Sequence, residues 1–293
     1  SFAGLQYNPD GNYGITLNQG FDGTVDLSPI PLAKDLSISF RGTFTYNKDK
    51  LIENGAAPYE EPWMDPRGQN INSSQGYVAE GIFQSQAEID NHADQSGVGG
   101  NARVGDLKYK DLNGDGIINV YDQTTINHGD VPRWIFGFGF NLNYKQFYIS
   151  AFFQGNYGAQ RAVSDIARAP FADGAYGNVL ANTTDRWTEE NHATNPFYPR
   201  LGYGTSATAN NDVASSWWVK DISFIRFKTL DMGYNLPKGA FRQIGLKNAR
   251  IYFSGVNLLY WSKFKLWDPE MNTGNGGAYP NTRTFSLGIQ ANF

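Results

Sequence analysis

The sequence FSLGIQANF, residues 285–293, alternates apolar with small or polar side chains from its first residue to its last. The residues at every second position are Phe285, Leu287, Ile289, Ala291 and Phe293. Because successive side chains of a β-strand point to opposite faces, the segment is predicted to be a strand with one apolar and one polar face. Such a strand occurs in soluble sheets, and it is also typical of a membrane β-barrel with aromatic residues at the water interface.

The same alternation recurs along the chain and predicts an all-β fold with about seven antiparallel strands. These cover approximately residues 21–28, 36–47, 136–144, 147–153, 217–236, 249–260 and 282–293. Each is near or above the ~9–11 residues that a tilted strand needs to cross a membrane. Within 217–236 the apolar parity changes between Phe227 and Leu230. That change predicts either a β-bulge near Lys228 and Thr229 or two shorter strands that meet there.

Composition excludes several classes of protein. The 293 residues include no cysteine, which rules out disulfides and cysteine-ligated metals. No apolar run reaches the ~18 residues of a membrane helix. The net charge of -4 gives no electrostatic case for a nucleic-acid partner. The three histidines are far apart in sequence and no Gly-x-Ser-x-Gly motif is present, so we expect no enzymatic activity.

Short and long connections alternate strictly between the predicted strands. The long ones cover about 48–134, 159–216 and 261–281, and the shorter ones about 29–35, 145–146 and 237–248. Outer-membrane barrels have this asymmetry, with short periplasmic turns opposite long extracellular loops. A periplasmic C-terminus would place all three long loops outside the cell. Seven strands are too few to close a barrel, since the smallest have about 8, so we expect residues 1–293 to be the C-terminal part of a larger one.

The chain also resembles a known family over nearly its whole length. The matching stretches are 18–21, 76–77, 81–84, 105–109, 111–116, 152–155, 186–188, 198–201, 233–237, 268–270 and 279–285, in that order. They are similar to the C-terminal third of SusC/RagA-type TonB-dependent outer-membrane transporters of Bacteroidota. The resemblance implies the last seven strands of a plugged barrel of about 22 strands. It also implies import of a glycan or peptide, a SusD-like surface lipoprotein partner, and coupling to the TonB complex through an N-terminal part outside these residues.

A calcium-type loop lies in the first long connection. The pattern D-x-[DN]-x-[DN]-G with an acidic twelfth residue predicts a structural Ca²⁺ site. Its predicted ligands are Asp111, Asn113, Asp115, the carbonyl of Ile117, and Asp122. Gly116 permits the sharp turn, and Ile118 is expected to anchor the loop in a local core. Asp122 is shorter than the usual Glu, and the alternative is an Asn-Gly-Asp-Gly turn without metal.

Tryptophans near the long loops are weak candidates for substrate binding. Trp217 and Trp218 could stack on sugar rings, but an interfacial aromatic girdle explains such residues equally simply. An alternative function from another class is a soluble, calcium-dependent, carbohydrate-binding β-sandwich, which would keep the tryptophans and the Asp111 loop. Detergent dependence would separate that alternative from an outer-membrane barrel.

Overall fold

A seven-stranded antiparallel sheet is the largest element of the computed structural model, which describes residues 11–170, 180–203, 208–237 and 245–292. Its strands follow chain order: β1 Ile15–Ala33, β2 Leu36–Glu53, β7 Trp134–Tyr144, β8 Phe147–Tyr157, β11 Phe224–Asn235, β12 Asn248–Ser262 and β13 Thr284–Asn292. Three two-stranded sheets lie in the connections: β3 Gln75–Tyr77 with β6 Gln123–Thr125, β4 Ala79–Ile82 with β5 Leu107–Tyr109, and β9 Gln160–Ala162 with β10 Val219–Asp221.

Helical structure in the described residues is limited to short segments. The α-helix α1 covers Gln86–Asp90 and begins after Ser85, whose side chain accepts the Glu88 N–H. The 3-10 helices are Pro62–Met64, Ser96–Val98, Val120–Asp122, Asp165–Ala167, Ala181–Thr184, Ala209–Asn211 and Ser216–Trp218. Among the described residues, none of the helices has both the length and the apolar character to span a membrane.

One face of the seven-stranded sheet is apolar across its full width. The register aligns side chains of neighbouring strands in rows. One row reads Leu36, Tyr144, Phe147, Tyr234, Ile251 and Ile289. Many apolar side chains of this face are exposed, up to 79% for Leu287. The opposite face is polar, as in the row Ser39, Asn141, Ser150, Asp231, Ser254 and Ser286. An exposed apolar patch of this extent marks a surface that contacts another protein or a membrane.

The predicted alternation of short and long connections is confirmed, with changed bounds. The predicted turn at 29–35 is wrong, because β1 continues through Pro29 and Pro31 and only residues 34–35 connect it to β2. The register of β1 against β2 shifts between Leu27 and Ile30 and again between Pro31 and Ala33, and proline is tolerated at such bulges because the hydrogen-bond ladder is already irregular there. The long connections cover 54–133, 158–223 and 263–283. Phe293, which ends the seventh predicted strand, lies outside the described residues.

The predicted bulge in the fifth strand is confirmed, but the predicted start of that strand is wrong. The register of β11 shifts between Phe227 and Thr229 against both neighbours. The shift returns Leu230, Met232 and Tyr234 to the apolar face. The strand begins at Phe224 rather than Trp217, because residues 216–218 form a 3-10 helix and β10 pairs with β9 instead of extending the sheet.

The buried core of the molecule lies mainly in the connections. The described residues of the three long connections pack into one unit, here named the loop body (54–133, 158–223 and 263–283). Its main cluster is Tyr77, Ile82, Val98, Leu107, Tyr109, Ile118, Val163, Ala167, Trp187, Tyr198 and Trp218. Antiparallel strands in chain order place alternate connections at the same end of a sheet, so the loop body caps one end and the short turns lie at the other.

Candidate functional site

The predicted cation loop forms a compact turn held by its own side chains. The carboxylate of Asp111 accepts N–H bonds from Gly114 and Gly116, at 2.7 Å and 2.9 Å. Asp115 accepts the Ile117 N–H at 2.8 Å, and Asn113 donates its amide to Asp115 at 2.9 Å. Gly114 and Gly116 have φ of 76° and 84°, a region that glycine adopts without strain. The side-chain oxygens of Asp111 and Asp115 thus face the backbone of the turn.

The twelfth residue of the loop is the last residue of the 3-10 helix Val120–Asp122. Asp122 accepts N–H bonds from Leu112 and Asn119, both at 2.8 Å. The Asn119 side chain accepts the Tyr121 N–H, so Asn119 and Asp122 together form a capping box. Asp122 is 0% exposed, and no ion pair in the described residues includes it. A buried carboxylate without a positive partner is costly, and a bound cation would offset that cost.

The predicted ligands suit a hard cation in chemistry, although the acidic side chains do not form a dense cluster. In the described part of the chain, no three His, Cys, Asp or Glu side chains come together as a metal-binding group. The loop instead offers three carboxylates, one amide and one backbone carbonyl. This all-oxygen set fits Ca²⁺, and each oxygen that accepts one N–H keeps a second lone pair.

The loop is tied to the core of the loop body, as predicted for Ile118. Ile118 is fully buried in the main cluster. Its N–H donates to Asp94 at 2.8 Å, and Asp94 N–H donates to Gly116 at 2.9 Å. This short bridge joins the cation loop to the chain at Asp94. A cation there would stabilise the loop body rather than a free turn.

A buried polar cluster joins the first and second long connections. Asp106 accepts from Arg200 Nε at 3.0 Å and Nη2 at 3.2 Å, and from Asn211 Nδ2 at 3.0 Å. Burial raises the pKa of the Asp106 carboxyl, and the Arg200 guanidinium opposes that rise. Nearby, Gln95 Nε2 donates to Asn210 Oδ1 at 2.8 Å and Tyr109 donates to the Asn210 carbonyl at 2.7 Å. These bonds fix the two connections against each other.

A second ionic cluster holds the third long connection against the polar face of the sheet. Arg226 on β11 is 2% exposed and forms ion pairs with Asp268 and Glu270. Lys228 lies 3.6 Å from the other oxygen of Glu270. The Arg226 guanidinium also lies 5.2 Å from the centroid of the Tyr260 ring. The 263–283 connection is therefore folded back onto the sheet.

The structure places Trp217 and Trp218 in the loop body. Trp218 is 2% exposed and donates its indole N–H to Asn211 at 2.8 Å, so its ring packs in the core. Trp217 is half-buried and donates to the Phe197 carbonyl at 3.0 Å. The ammonium of Lys220 lies 4.8 Å from the Phe197 ring and 5.8 Å from the Trp217 ring. Burial lowers the pKa of Lys220. An internal cation thus already lies against Trp217.

Aromatic residues on the apolar face form a cluster near the loop-body end of the sheet. Trp134 lies 4.7 Å from Tyr46 and 5.8 Å from Phe21, measured between ring centroids. Phe21, Tyr46 and Trp134 come from three adjacent strands in one register row. Aromatic rows of this kind are typical of an interfacial girdle, whereas Trp217 and Trp218 lie in the loop body.

Sequence reasoning did not find the two ionic clusters. Asp106 and Arg200 are separated by 94 residues, and Arg226 and Asp268 by 42. Polar pairs in irregular connections follow no periodicity, so no pattern links the partners. The available signal was local: the stretches at 105–109, 198–201 and 268–270 were already distinctive in the sequence.

Comparison with known sequences gives named relatives. The chain is 35% identical over 269 residues to TonB-dependent receptor P26 of Formosa agariphila, covering 84% of this chain and 26% of that protein. It is 29% identical to TonB-dependent receptor P3 of the same organism, covering 96% of this chain and 29% of that protein. The chain therefore spans between a quarter and a third of the length of these relatives. No protein-family model matches it.

Comparison with solved structures gives the fold. The chain superposes on the structure of the RagAB peptide transporter with a TM-score of 0.70 and 23% identity, covering 99% of this chain and 31% of that one. The RagAB peptide importer in its open-open state gives 0.69 and 23%, covering 96% and 29%. These relatives are receptors and transporters rather than enzymes, in agreement with the sequence prediction. By sequence the chain belongs to the TonB-dependent receptors, and its seven-stranded sheet has the fold of a part of the RagA barrel.

Proposed function

We propose that the intact protein containing this chain imports a nutrient across the bacterial outer membrane and that these strands form part of the barrel wall. The observation that carries this proposal is the exposed apolar face, which continues in register across all seven strands while the core lies in the loop body. Membrane-spanning sheets close into barrels because lipid offers no hydrogen-bond partners to strand edges. Under this proposal the loop body is extracellular, and the turns and C-terminus are periplasmic.

We propose two substrate classes, one from the sequence resemblance and one from the names of the solved structures. The imported molecule is a glycan or oligosaccharide, or it is a peptide, as the RagAB structures are named for peptide transport. The barrel works with a SusD-like surface lipoprotein that covers the loop body, and TonB supplies the energy. The chain itself contributes a wall and a rigid extracellular surface, with no catalytic group.

The alternative function is a soluble carbohydrate-binding β-sandwich, and the fold argues against this alternative. A sandwich buries the apolar face of one sheet against a second sheet. Among the described residues, the three smaller sheets lie within the loop body, and the apolar face of the large sheet remains open. A soluble chain would leave that face in water.

Purification and uptake together test the proposed function. We expect the intact protein to require detergent for extraction and to co-purify with a lipoprotein. Cells that lack the gene should lose protonophore-sensitive uptake of either fluorescent oligosaccharides or fluorescent peptides. Monodisperse protein in the absence of detergent, or unchanged uptake of both probes, would contradict the proposal.

The cation loop is proposed to bind Ca²⁺ and to brace the loop body through Ile118 and Asp94. At a calcium concentration about 100 times the dissociation constant, binding would contribute about 2.7 kcal/mol to stability. We expect a chelator to lower the thermal midpoint of the loop body, and Asp111→Ala to remove the calcium response. Calorimetry of the intact protein with and without calcium measures both effects.

Asp90→Ala is the matched control for Asp111→Ala. Asp90 is an exposed carboxylate in the same connection, and its side chain accepts only the Gln86 amide among the bonds of the described residues. It should keep the full calcium response. A wild-type thermal midpoint that does not change with calcium would refute the site.

A further inference from the structure

We propose that the apolar face carries a specific site for an anionic glycerophospholipid, with one acyl chain in a groove near the turn at residues 145–146 and the phosphate beside Lys145. The inference rests on the membrane location in the proposed function and on no feature of transport. It identifies one lipid position among the many that surround a barrel.

The groove is a concavity in the apolar face, with a volume of about 570 Å³. Its lining includes Leu142, Ile149 and Met232, which are aligned in one register row of β7, β8 and β11. The rings of Phe147 and Tyr234 also line it, with centroids 4.6 Å apart. A chain seated in a groove contacts apolar atoms on more than one side, which a flat face does not allow.

The side chain of Lys145 places a cation at the turn end of this groove. Lys145 follows Tyr144, which lines the groove, and its ammonium lies 5.4 Å from the centroid of that ring. None of the ion pairs found among the described residues includes Lys145. The neighbouring turn, which carries one lysine and one aspartate (Lys34 and Asp35), is joined to it by the Lys145 N–H, which donates to the Asp35 carbonyl at 3.0 Å.

The backbone at Lys145 argues for a role of its side chain. Lys145 has φ of 52° in a two-residue hairpin turn. Such positions favour Asn, Asp or Gly, because a side chain at positive φ is strained. Lys145 places a positive charge at the level where lipid headgroups lie. It is next to tyrosines, which are enriched at membrane–water interfaces. Charge complementarity then selects a lipid with an anionic headgroup.

Native mass spectrometry of the intact protein in detergent tests the site with two probes that share their acyl chains. The probes are dioleoyl phosphatidylglycerol, which is anionic, and dioleoyl phosphatidylethanolamine, which is zwitterionic. We expect about a five-fold preference for phosphatidylglycerol, as one lysine near an anionic lipid provides. Lys145→Gln should abolish this preference and leave phosphatidylethanolamine binding unchanged. A preference that survives Lys145→Gln would overturn the headgroup assignment.

Filling the groove tests the acyl-chain assignment. Met232→Trp should lower binding of both lipids at least about five-fold, because the larger ring occupies the groove. Val25→Trp, on the same apolar face but outside the groove, is the matched control and should bind as wild type. Folding of each variant is checked by its mobility on unheated gels. Wild-type lipid binding by folded Met232→Trp would refute the groove. Unchanged uptake in cells that lack the gene, together with the expected lipid binding, would count against the transport proposal alone.

Discussion

Arg226→Ala is expected to release the 263–283 connection from the polar face of the sheet. The substitution leaves the mostly buried carboxylates of Asp268 and Glu270 with Lys228 as the remaining cation of this cluster. Removing one partner of a buried ion pair costs about 3–5 kcal/mol, because the other charges stay desolvated. Opening of this connection should therefore become at least about a hundred times more frequent. Limited proteolysis between residues 263 and 283 measures that change.

An exposed arginine gives the matched control for Arg226. Arg41 pairs with Asp26 at 2.8 Å on the same sheet, but both side chains are more than half exposed. Exposed ion pairs contribute about 0–1 kcal/mol, so Arg41→Ala should leave the cleavage rate nearly unchanged. Equal rates for Arg226→Ala and the wild type would show that the ionic cluster does not hold the connection.

Trp218→Ala is expected to loosen the loop body. The substitution removes a fully buried indole from the main cluster and leaves the Asn211 carbonyl without its donor. Truncation of a buried aromatic residue costs about 3–5 kcal/mol. The Val163 N–H donates to the Trp218 carbonyl at 2.9 Å and reports directly on this packing. Hydrogen exchange across residues 77–109 and 159–167 should accelerate, while strands β7 and β8 keep their protection.

Trp261→Ala separates burial from residue type in this experiment. Trp261 is 53% exposed at the loop-body end of β12 and belongs to neither buried cluster of the described residues. Its truncation should leave exchange in the loop body at the wild-type rate. Unchanged exchange in Trp218→Ala as well would contradict the assignment of Trp218 to a structural core.

The sheet could be predicted from sequence because its determinants are local and periodic. Alternating side chains defined each strand, and the parity change near Lys228 and Thr229 located the bulge. The errors occurred where another contact outweighed the pattern. Prolines at 29 and 31 remain in a strand because they lie at register shifts of β1. Residues 216–218 form a 3-10 helix and residues 219–221 pair with β9 instead of extending β11.

The loop body could not be predicted, because its contacts join residues that are far apart and follow no period. The carboxylate of Asp106 meets Arg200 and Asn211 across about a third of the chain. The cation loop was the exception, since its ligands lie within twelve consecutive residues and its glycine marks the turn. Its geometry as a side-chain-bonded turn is now known, and metal binding remains a prediction.

Spin-label accessibility along β13 tests the central claim that the apolar face lies in a membrane. The chain contains no cysteine, so a single cysteine at 285, 286, 287, 289 or 290 has no competing labelling site within these 293 residues. After any cysteine elsewhere in the intact protein is replaced by serine, each variant carries a nitroxide in lipid vesicles. We predict that labels at Phe285, Leu287 and Ile289 are relaxed by oxygen, which concentrates in lipid. Labels at Ser286 and Gln290 should respond to a water-soluble nickel reagent instead. A strong response to the nickel reagent at all five positions would contradict the account.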